Sequence, residues 1–371
     1  MNIHEKIVVG EGNNGDFFEV EKITIRGAKR EISPSVYIQS SMHAAELQGN
    51  LVIFHLLDYL GKHPPLGDIS IISHCNPLAM NNMSGSFTYG RYDPMDGSNW
   101  NRYYFKSNID FAHFSKKNIS NSFESYKKNF RKLLVQEIDD FINKNSSWKM
   151  TRSQILATSL QRHALNADIV LDLHTDKKAI DYVYSPEYSK ESSSELGFPH
   201  VFLIPNISTG SLDEAIFSPW WSLQQSFLKL GRTDDVAVDA FTIELGSEGV
   251  INNNSSIRQV RRILNYLSYK KVLKFQSSCF PDLGEISSKV SFYSFLDFEA
   301  FHAPYGGIYE WFITPGQCIL KNQIIGRCLK TYNQSTININ SPCDSTIISI
   351  NAEGSIPKGT HIFNLAVKKN Y

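Results

Sequence analysis

The chain has 371 residues, of which 42% are hydrophobic, so it can bury the core of one large domain or of two ordinary ones. Its 37 basic and 37 acidic residues balance, which argues against nucleic acid or an anionic membrane as the main partner. No uncharged apolar run approaches the length that spans a bilayer.

The first three quarters of the chain alternate strand-like and helix-like segments. We predict strands at 35–39, 68–73, 168–173, 200–204 and 240–244, and helices at 47–60, 122–144, 151–165, 212–230 and 257–273. This alternation predicts an α/β layer fold with a mixed or largely parallel sheet. In the first helix, Leu47, Leu51 and Phe54 share one face, and Gly61 is the predicted stop.

The pattern changes near Pro281. Beyond it come short apolar stretches separated by turn residues, such as GGIYEWFI, STIISI and HIFNLAV, and none has a helical period. We therefore predict a catalytic domain over 1–284 and a small all-β domain over 285–371. This second domain either limits access to a site or forms a homo-oligomer interface, and the sequence does not distinguish between these two roles.

The cysteines and the N-terminal residues indicate the cellular compartment in which the protein is expected. The five cysteines are scattered and include no CxxC pair, which is typical of free thiols in a reducing environment. The N-terminal MNIHEKIVVGEG has early charges and no apolar core before a cleavage site, so it does not resemble a secretory signal. We expect a cytoplasmic protein.

Four ionisable side chains lie at the ends of predicted strands. His43 and Glu46 follow the first strand, His174 ends DIVLDLH, and Glu244 ends AFTIE. In open α/β sheets, sites form beyond the carboxyl ends of strands, so one crevice can collect all four. Two imidazoles and a carboxylate are a common ligand set for a catalytic zinc ion. Glu244 could then stay off the metal and act as a general base.

Each of these residues also has an ordinary interpretation. A histidine and a glutamate three apart often occur by chance, and a histidine after an apolar strand is usually an interior hydrogen-bonded residue. A glutamate at a strand end is usually a solvated charge. Asp172 shares a strand face with His174 and could orient it, but a solvent-facing carboxylate is an equal alternative. Only the joint order of the residues favours a metal site.

That joint order resembles the succinylglutamate desuccinylase/aspartoacylase family, which belongs with the zinc carboxypeptidases. The shared motifs are HxxE, NP with a following arginine, DGxNxNR, a strand ending DLH and a strand ending TIELG, and the C-terminal APYGGIYEWFITPGQCILKNQIIGR is also similar to the family's. The resemblance implies a zinc-carboxypeptidase-like mixed sheet flanked by helices, with a smaller C-terminal all-β domain.

The resemblance also assigns roles. It implies one zinc ion on His43, Glu46 and His174, with Glu244 as general base. It further implies that Arg91 steadies the oxyanion, and that Asn101 and Arg102 hold a substrate carboxylate. Without the family, ordinary surface pairing is the better interpretation of both arginines.

Two departures leave the substrate open. NRYYFKSN stands where the family often continues with a Phe-Pro-Gly turn, and a long helical segment covers about 115–165. The sequence favours a zinc hydrolase that cleaves the amide bond of a small N-acyl amino acid or acylated amine. A metallocarboxypeptidase acting on short peptides is the close alternative. A zinc-bearing protein without turnover and a metal-free sugar- or protein-binding module are the alternatives of other classes.

Overall fold

The computed structural model describes residues 2–85, 87–88, 90–146, 148–281 and 289–367. The strands are β1 (Asn2–Glu11), β2 (Phe17–Ile25), β3 (Val36–Ser40), β4 (Ile69–Ile72), β5 (Met83–Ser84), β6 (Phe87–Thr88), β7 (Ile169–Asp176), β8 (Asp181–Pro186), β9 (His200–Ile204), β10 (Asp239–Ser247), β11 (Ser291–Ser294), β12 (Phe298–His302), β13 (Gly307–Trp311), β14 (Cys318–Ile319), β15 (Ile324–Lys330), β16 (Ser335–Asn340), β17 (Ser345–Ile350), β18 (Gly354–Ile356) and β19 (His361–Val367). The helices are α1 (Gln48–Lys62), α2 (Pro77–Met80), α3 (Phe111–Asn118), α4 (Phe123–Asn145), α5 (Arg152–Ala164), α6 (Lys190–Ser194), α7 (Leu212–Leu228) and α8 (Asn253–Tyr269).

A mixed sheet of nine strands forms the centre, in the order β1-β2-β4-β3-β7-β10-β8-β9-β11. Its four middle strands β4, β3, β7 and β10 run parallel, and β1, β2 and β8 add antiparallel pairs. Strand β7 is buried along almost its whole length, which explains why IVLDLHTD does not alternate between apolar and polar residues. The predicted α/β fold is confirmed.

Helices cover both faces of this sheet because successive residues of each strand point to opposite sides. On β3, Tyr37 belongs to the core beneath α4, α5 and α7, whereas Val36 and Ile38 belong to the core beneath α1 and α8. Helices α4 and α5 begin where the sequence predicts, because the side chains of Ser122 and Thr151 accept hydrogen bonds from backbone N–H groups of the first turn.

Two details of the first helix differ from the sequence prediction. Phe54 is 66% exposed, and the buried face of α1 is formed by residues such as Val52, Ile53 and Leu56. Gly61 lies within the helix, which ends one residue later, so it is not the stop. The face was misjudged because Leu51 and Phe54 are as apolar as the residues that pack against the sheet.

Two antiparallel four-stranded sheets follow, β12-β19-β17-β14 and β16-β15-β13-β18, with an apolar core that contains Ile347 and Leu365. Strand β11 pairs in parallel with β9 and therefore belongs to the central sheet. The predicted division at 284/285 lies outside the described residues and stays a prediction. Among the described residues, no helix combines the length and the apolar character needed to cross a bilayer.

Candidate active site

Adjacent strands bring the predicted residues together. Residues 43 to 46 form the turn that leaves β3, with the amide of Glu46 donating to the carbonyl of His43 at 3.1 Å. His174 on β7 and Glu244 on β10 stand opposite each other in the parallel register. The site therefore lies at the carboxyl ends of three neighbouring parallel strands, as the sequence predicts.

A close buried group of three side chains forms the centre of the site. Possible ligand atoms of His43, Glu46 and His174 all lie within 4.8 Å of one another. Nδ1 of His43 is 2.8 Å from Oε1 of Glu46, and Nδ1 of His174 is 2.8 Å from Oε2 of the same carboxylate. The three residues are between 1% and 3% exposed. Burial opposes ionisation of Glu46, but the two neighbouring rings hold its pKa well below the usual value.

The far nitrogens of both rings face acceptors. Nε2 of His43 lies 2.9 Å from Oδ1 of Asn99, which also accepts from the backbone amide of Asn101 at 3.0 Å. Nε2 of His174 lies 3.0 Å from Oδ2 of Asp172. That second contact is electrostatic, because its geometry falls outside hydrogen-bond limits. An acceptor behind each ring favours a proton on Nε2, so Nδ1 is the nitrogen that each ring can offer to a cation beside Glu46.

This donor set fits a divalent cation such as zinc. Two imidazoles and one carboxylate supply three ligands, and acceptors behind the rings are the usual support of metal-binding histidines. Burial lowers the pKa of His43, which keeps that ring neutral. Burial would lower the pKa of His174 too, but the Asp172 carboxylate outweighs it and raises that pKa. A carboxylate that stabilises positive charge on this ring stabilises a bound cation as well.

Buried hydrogen bonds hold Asp172 in place. Gln39 on β3 donates from Nε2 to Oδ1 of Asp172 at 3.0 Å, and Tyr37 donates its hydroxyl to Oε1 of Gln39 at 2.9 Å. The sequence left open whether Asp172 faces solvent or the histidine. Its complete burial and the contact with His174 place it behind the ring.

Glu244 lies beside the group of His43, Glu46 and His174, and one of its two carboxylate oxygens forms no hydrogen bond with described residues. Its Oε2 atom is buried and has no hydrogen-bond partner among the described residues. Burial, together with the charge of Glu46, raises the pKa of Glu244 to about 8. A carboxylate with a free oxygen and a raised proton affinity is suited to accept and return a proton.

The predicted arginines and the asparagine line the same cavity, which measures about 650 Å³. Nη2 of Arg91 donates to Oε1 of Glu46 at 3.0 Å. Arg91 is positioned by Gly90, where a Cβ atom would lie 2.9 Å from the amide nitrogen of Ala45. Although burial favours the neutral form, the charge of Glu46 raises the pKa of Arg91.

Asn101 and Arg102 occupy a turn of 3-10 helix that presents both side chains to the cavity. Nδ2 of Asn101 lies 3.4 Å from Nε2 of His174, and its Oδ1 atom is buried without a partner in the described part of the chain. Arg102 donates from Nη1 to the carbonyl of Asn101 at 2.7 Å. No described carboxylate forms an ion pair with its guanidinium group.

Some lining residues that the sequence did not assign to the site come from the C-terminal part of the chain. They come from the C-terminal sheets and the segment before them: Phe295, Phe298, Ala300, Asn351, Thr360, His361 and Asn364. Asn364 on β19 donates to Oδ2 of Asp176 at 3.2 Å, just beyond His174 on β7. No motif marks these residues, because they reach the site only through packing between sheets. Asn99 could have been found, since it is the first asparagine of DGSNWNR.

A larger cavity, of about 1040 Å³, lies between residues 30–35 and helix α4 and contains none of the predicted site residues. Lys127 and Arg131 line it, and both form ion pairs with Asp168 at 2.7 and 2.8 Å. These pairs engage both of these basic side chains within the protein. We therefore place the chemistry in the smaller cavity, where the histidines and Glu244 meet.

The parallel strands, the His-Glu-His group and the adjacent carboxylate define the arrangement of a hydrolase site at the edge of an open α/β sheet. The family model described as the succinylglutamate desuccinylase/aspartoacylase catalytic domain matches residues 32–270. The chain belongs to the succinylglutamate desuccinylase/aspartoacylase family.

Solved structures agree along the whole length. The chain is 33% identical to a proposed succinylglutamate desuccinylase/aspartoacylase from Shewanella frigidimarina NCIMB 400, with a TM-score of 0.92 over 99% of this chain and 97% of that one. A proposed member of the same family from Shewanella amazonensis SB2B is 32% identical, with a TM-score of 0.91 over 99% of both chains. A succinylglutamate desuccinylase/aspartoacylase from Rhodobacter sphaeroides, 16% identical with a TM-score of 0.68 over 100% of this chain and 96% of that one, shares the fold. No curated protein matches the chain.

Proposed function

We propose that this protein is a zinc-dependent hydrolase that cleaves the amide bond of a small, carboxylate-bearing N-acyl amino acid or acylated amine. The observation that carries the proposal is the buried group of His43, Glu46 and His174 beside the unpartnered oxygen of Glu244. Membership of the family supports deacylation as the class of reaction.

His43, Glu46 and His174 would hold the ion. When bound there, zinc supplies a Lewis acid and lowers the pKa of a water molecule towards roughly 7. Glu244 takes the proton of the attacking water and later returns it to the leaving amine. The carboxylate is suited to both steps, because its pKa of about 8 lies close to neutral pH.

Two arginines bind the remaining negative charges, which lie on the carbonyl oxygen and on the substrate carboxylate. Arg91 is fixed by Glu46 at the edge of the cavity, where its guanidinium group stabilises negative charge that develops on the carbonyl oxygen. Arg102 has no carboxylate partner among the described residues, so it is available to bind a substrate carboxylate through two parallel hydrogen bonds. Asn101 adds an amide beside it.

The test is hydrolysis of a panel of N-acyl amino acids and short peptides by the purified, zinc-loaded protein. We expect release of amine from at least one N-acyl amino acid, loss of turnover on chelation, and recovery with added zinc. Turnover of peptides alone, from the carboxyl end, would support the metallocarboxypeptidase alternative. A protein that binds zinc but hydrolyses nothing in the panel would support a binding role.

A further inference from the structure

The cavity contains a buried carboxylate that the proposed chemistry does not use. Asp213, in the first turn of α7, lines the cavity and is 1% exposed. The hydroxyl of Ser211 donates to its Oδ1 atom at 2.5 Å. Within the described ranges, no lysine or arginine forms an ion pair with it. The neighbouring charges that act on it most strongly, those of Glu214 and Asp172, are both negative.

Other carboxylates along the same wall are fully engaged. Glu214 accepts from the hydroxyl of Thr209 and from the backbone amides of residues 209, 210 and 211. Asp176 accepts from its neighbour's amide at 2.8 Å, from the hydroxyl of Tyr182 at 3.1 Å and from Asn364 at 3.2 Å. Asp213 differs from these two because its hydrogen bonds to described residues come from the hydroxyl of Ser211 and the backbone amide of Glu214, which leaves part of the acceptor capacity of its carboxylate unused.

An unpaired cation faces the same space. Arg102 lines the cavity without an ion pair in the described part of the chain. The loop before α7 packs directly on its backbone, because a Cβ atom at Gly210 would lie 2.8 Å from the carbonyl oxygen of Arg102. Apart from Glu244, which the proposed chemistry uses, the cavity is thus bordered by a guanidinium group and a carboxylate that form no ion pair with described residues, which suits a ligand that carries both charges.

We propose that Asp213 binds a free ammonium group of the substrate, so that the preferred substrates are N-acyl amino acids that also carry an unacylated amine. This inference rests on the proposed function and narrows its substrate class to monoacylated diamino acids. Arg102 holds the carboxylate and Asp213 the ammonium group, while the acyl group lies towards His43 and His174.

Burial and the charge of Glu214 raise the pKa of Asp213 to about 6, so its carboxylate is ionised in most molecules at neutral pH. A buried carboxylate without a counter-ion is costly, and an arriving ammonium group relieves that cost. A charge-assisted hydrogen bond of this kind changes affinity by about 10- to 100-fold relative to an uncharged isostere.

The first experiment compares isosteric substrates with the zinc-loaded wild-type protein. Nα-acetylornithine is paired with Nα-acetylnorleucine, which has a methyl group in place of the δ-ammonium group, and Nδ-acetylornithine is paired with 5-acetamidopentanoate, which lacks the α-ammonium group. We expect kcat/KM for the better acetylornithine to exceed that for its own uncharged partner by about tenfold or more. Equal values for the charged and uncharged compounds would overturn the inference.

The same ratio is then measured in Asp213→Asn, which keeps an acceptor for Ser211 but removes the charge. We expect the preference for the ammonium group to fall to about twofold or less. Asp58→Asn, an exposed carboxylate of α1 that pairs with Lys62, is the matched control and should keep the wild-type ratio. A full preference in Asp213→Asn would assign the ammonium group to another residue and overturn the inference.

A binding measurement separates this inference from the proposed function. Calorimetry with the same matched pairs of compounds requires no turnover when it is done on zinc-loaded Glu244→Gln, with and without Asp213→Asn. Tighter binding of an acetylornithine than of its uncharged partner, lost in the double variant, supports the ammonium site even if no acyl compound is hydrolysed, an outcome that would sink only the deacylase proposal. Equal binding of the charged and uncharged compound in both pairs refutes the ammonium site even if deacylation is found.

Discussion

Glu244 and Glu46 are both buried carboxylates of one cavity, yet their surroundings give them opposite proton affinities. Two imidazoles lower the pKa of Glu46, whereas burial and the charge of Glu46 itself raise the pKa of Glu244 to about 8. This divergence is the physical basis for assigning one carboxylate to the metal and the other to the proton.

Replacement of Glu244 by glutamine tests the different roles assigned to Glu46 and Glu244. The amide has nearly the same shape but cannot accept the proton, so we expect kcat to fall by about 10²- to 10⁴-fold. Metal content should stay at the wild-type level, because the three ligands are untouched. Glu353→Gln, which removes an exposed carboxylate paired with Lys178 at 2.8 Å, should leave both quantities unchanged. Full turnover in Glu244→Gln would remove it from the mechanism.

Glu244 should also affect the pH dependence of stability in the metal-free protein. Its pKa in the fold, about 8, lies above the ordinary value of 4.5, so folding favours the neutral acid. This contribution to stability is fully present below pH 4.5 and is lost as the pH rises through about 8. Thermal unfolding of wild type and Glu244→Gln across this window should show wild type losing stability relative to the variant. A constant difference between the two would contradict the assignment.

We expect Asn99 to act through His43 and not on the substrate. Its Oδ1 atom fixes the orientation of the ring at 2.9 Å, so Asn99→Ala should weaken zinc binding by about 10- to 100-fold. Asn99→Asp keeps an acceptor and should recover most of that affinity. Competition with a chromogenic chelator measures both variants, and Asn14→Ala at an exposed loop position is the control. Wild-type affinity in Asn99→Ala would show that the ring is held by other contacts.

At the scale of elements, the start of α1 packs tightly against the strands that carry the site. A Cβ atom at Gly49 would lie 2.3 Å from Oγ of Ser40 and 3.0 Å from Cβ of Leu173. Glycine at this position lets the helix approach β3 and β7 closely. The approach fixes the turn that holds Glu46, which lies three residues earlier.

Two glycines of this one helix give a matched pair of variants. Gly49→Ala should destabilise the protein by about 1–3 kcal/mol, because the added methyl group overlaps Ser40. Gly61→Ala meets nothing within 4 Å and should stabilise the helix by up to about 1 kcal/mol. Denaturant unfolding measures both. Equal effects of the two substitutions would show that helix propensity, and not packing, governs Gly49.

Sequence patterns predicted the elements that have strong local signals. The capped helices α4 and α5 and the buried strand β9 lie close to their predicted positions. The hairpin of β1 and β2 and strand β8 were missed, because charged and aromatic residues interrupt their alternation. Helix α8 was placed several residues too late, since its polar first turn has no apolar period. Such elements are stabilised by pairing and packing that a local pattern does not contain.

At the scale of the whole molecule, the C-terminal sheets are joined to the central sheet through a shared core. Ile348 on β17 is completely buried and belongs to a cluster with Tyr182 and Phe202 of the central sheet. Its carbonyl accepts from the amide of Ile180 at 3.2 Å, and the amide of Ile350 donates to the carbonyl of Lys178 at 2.9 Å. This contact holds one wall of the cavity in place.

Truncation of Ile348 should therefore affect both stability and substrate binding. Ile348→Ala removes buried methylene groups and should cost about 2–5 kcal/mol of unfolding free energy. We also expect KM to rise more than kcat falls, because the wall shifts while the metal ligands do not. Ile339→Ala, in the core between the two C-terminal sheets, is the comparison and should leave KM near the wild-type value. A change in KM of the same size in both variants would contradict a local effect.

Only some of the residues of the candidate site could be predicted from the sequence. Its metal-binding group and Glu244 follow strands, so topology alone brings them together, whereas Asp213 and the residues of β19 carry no motif. Their positions depend on how α7 and the C-terminal sheets pack, which a single sequence does not reveal. The sequence could therefore predict the class of chemistry, whereas it left the substrate open.

The late position of strand β19 in the chain determines when the cavity can be completed during synthesis. It lies between β12 and β17 in its sheet, yet it follows both in the chain, and it supplies Asn364 to the wall of the cavity. As the polypeptide leaves the ribosome, His43, Glu46 and His174 emerge well before this strand. A nascent chain can therefore bring its candidate metal ligands together while the cavity still lacks one side, which closes only after β19 has been made and has paired with β12 and β17.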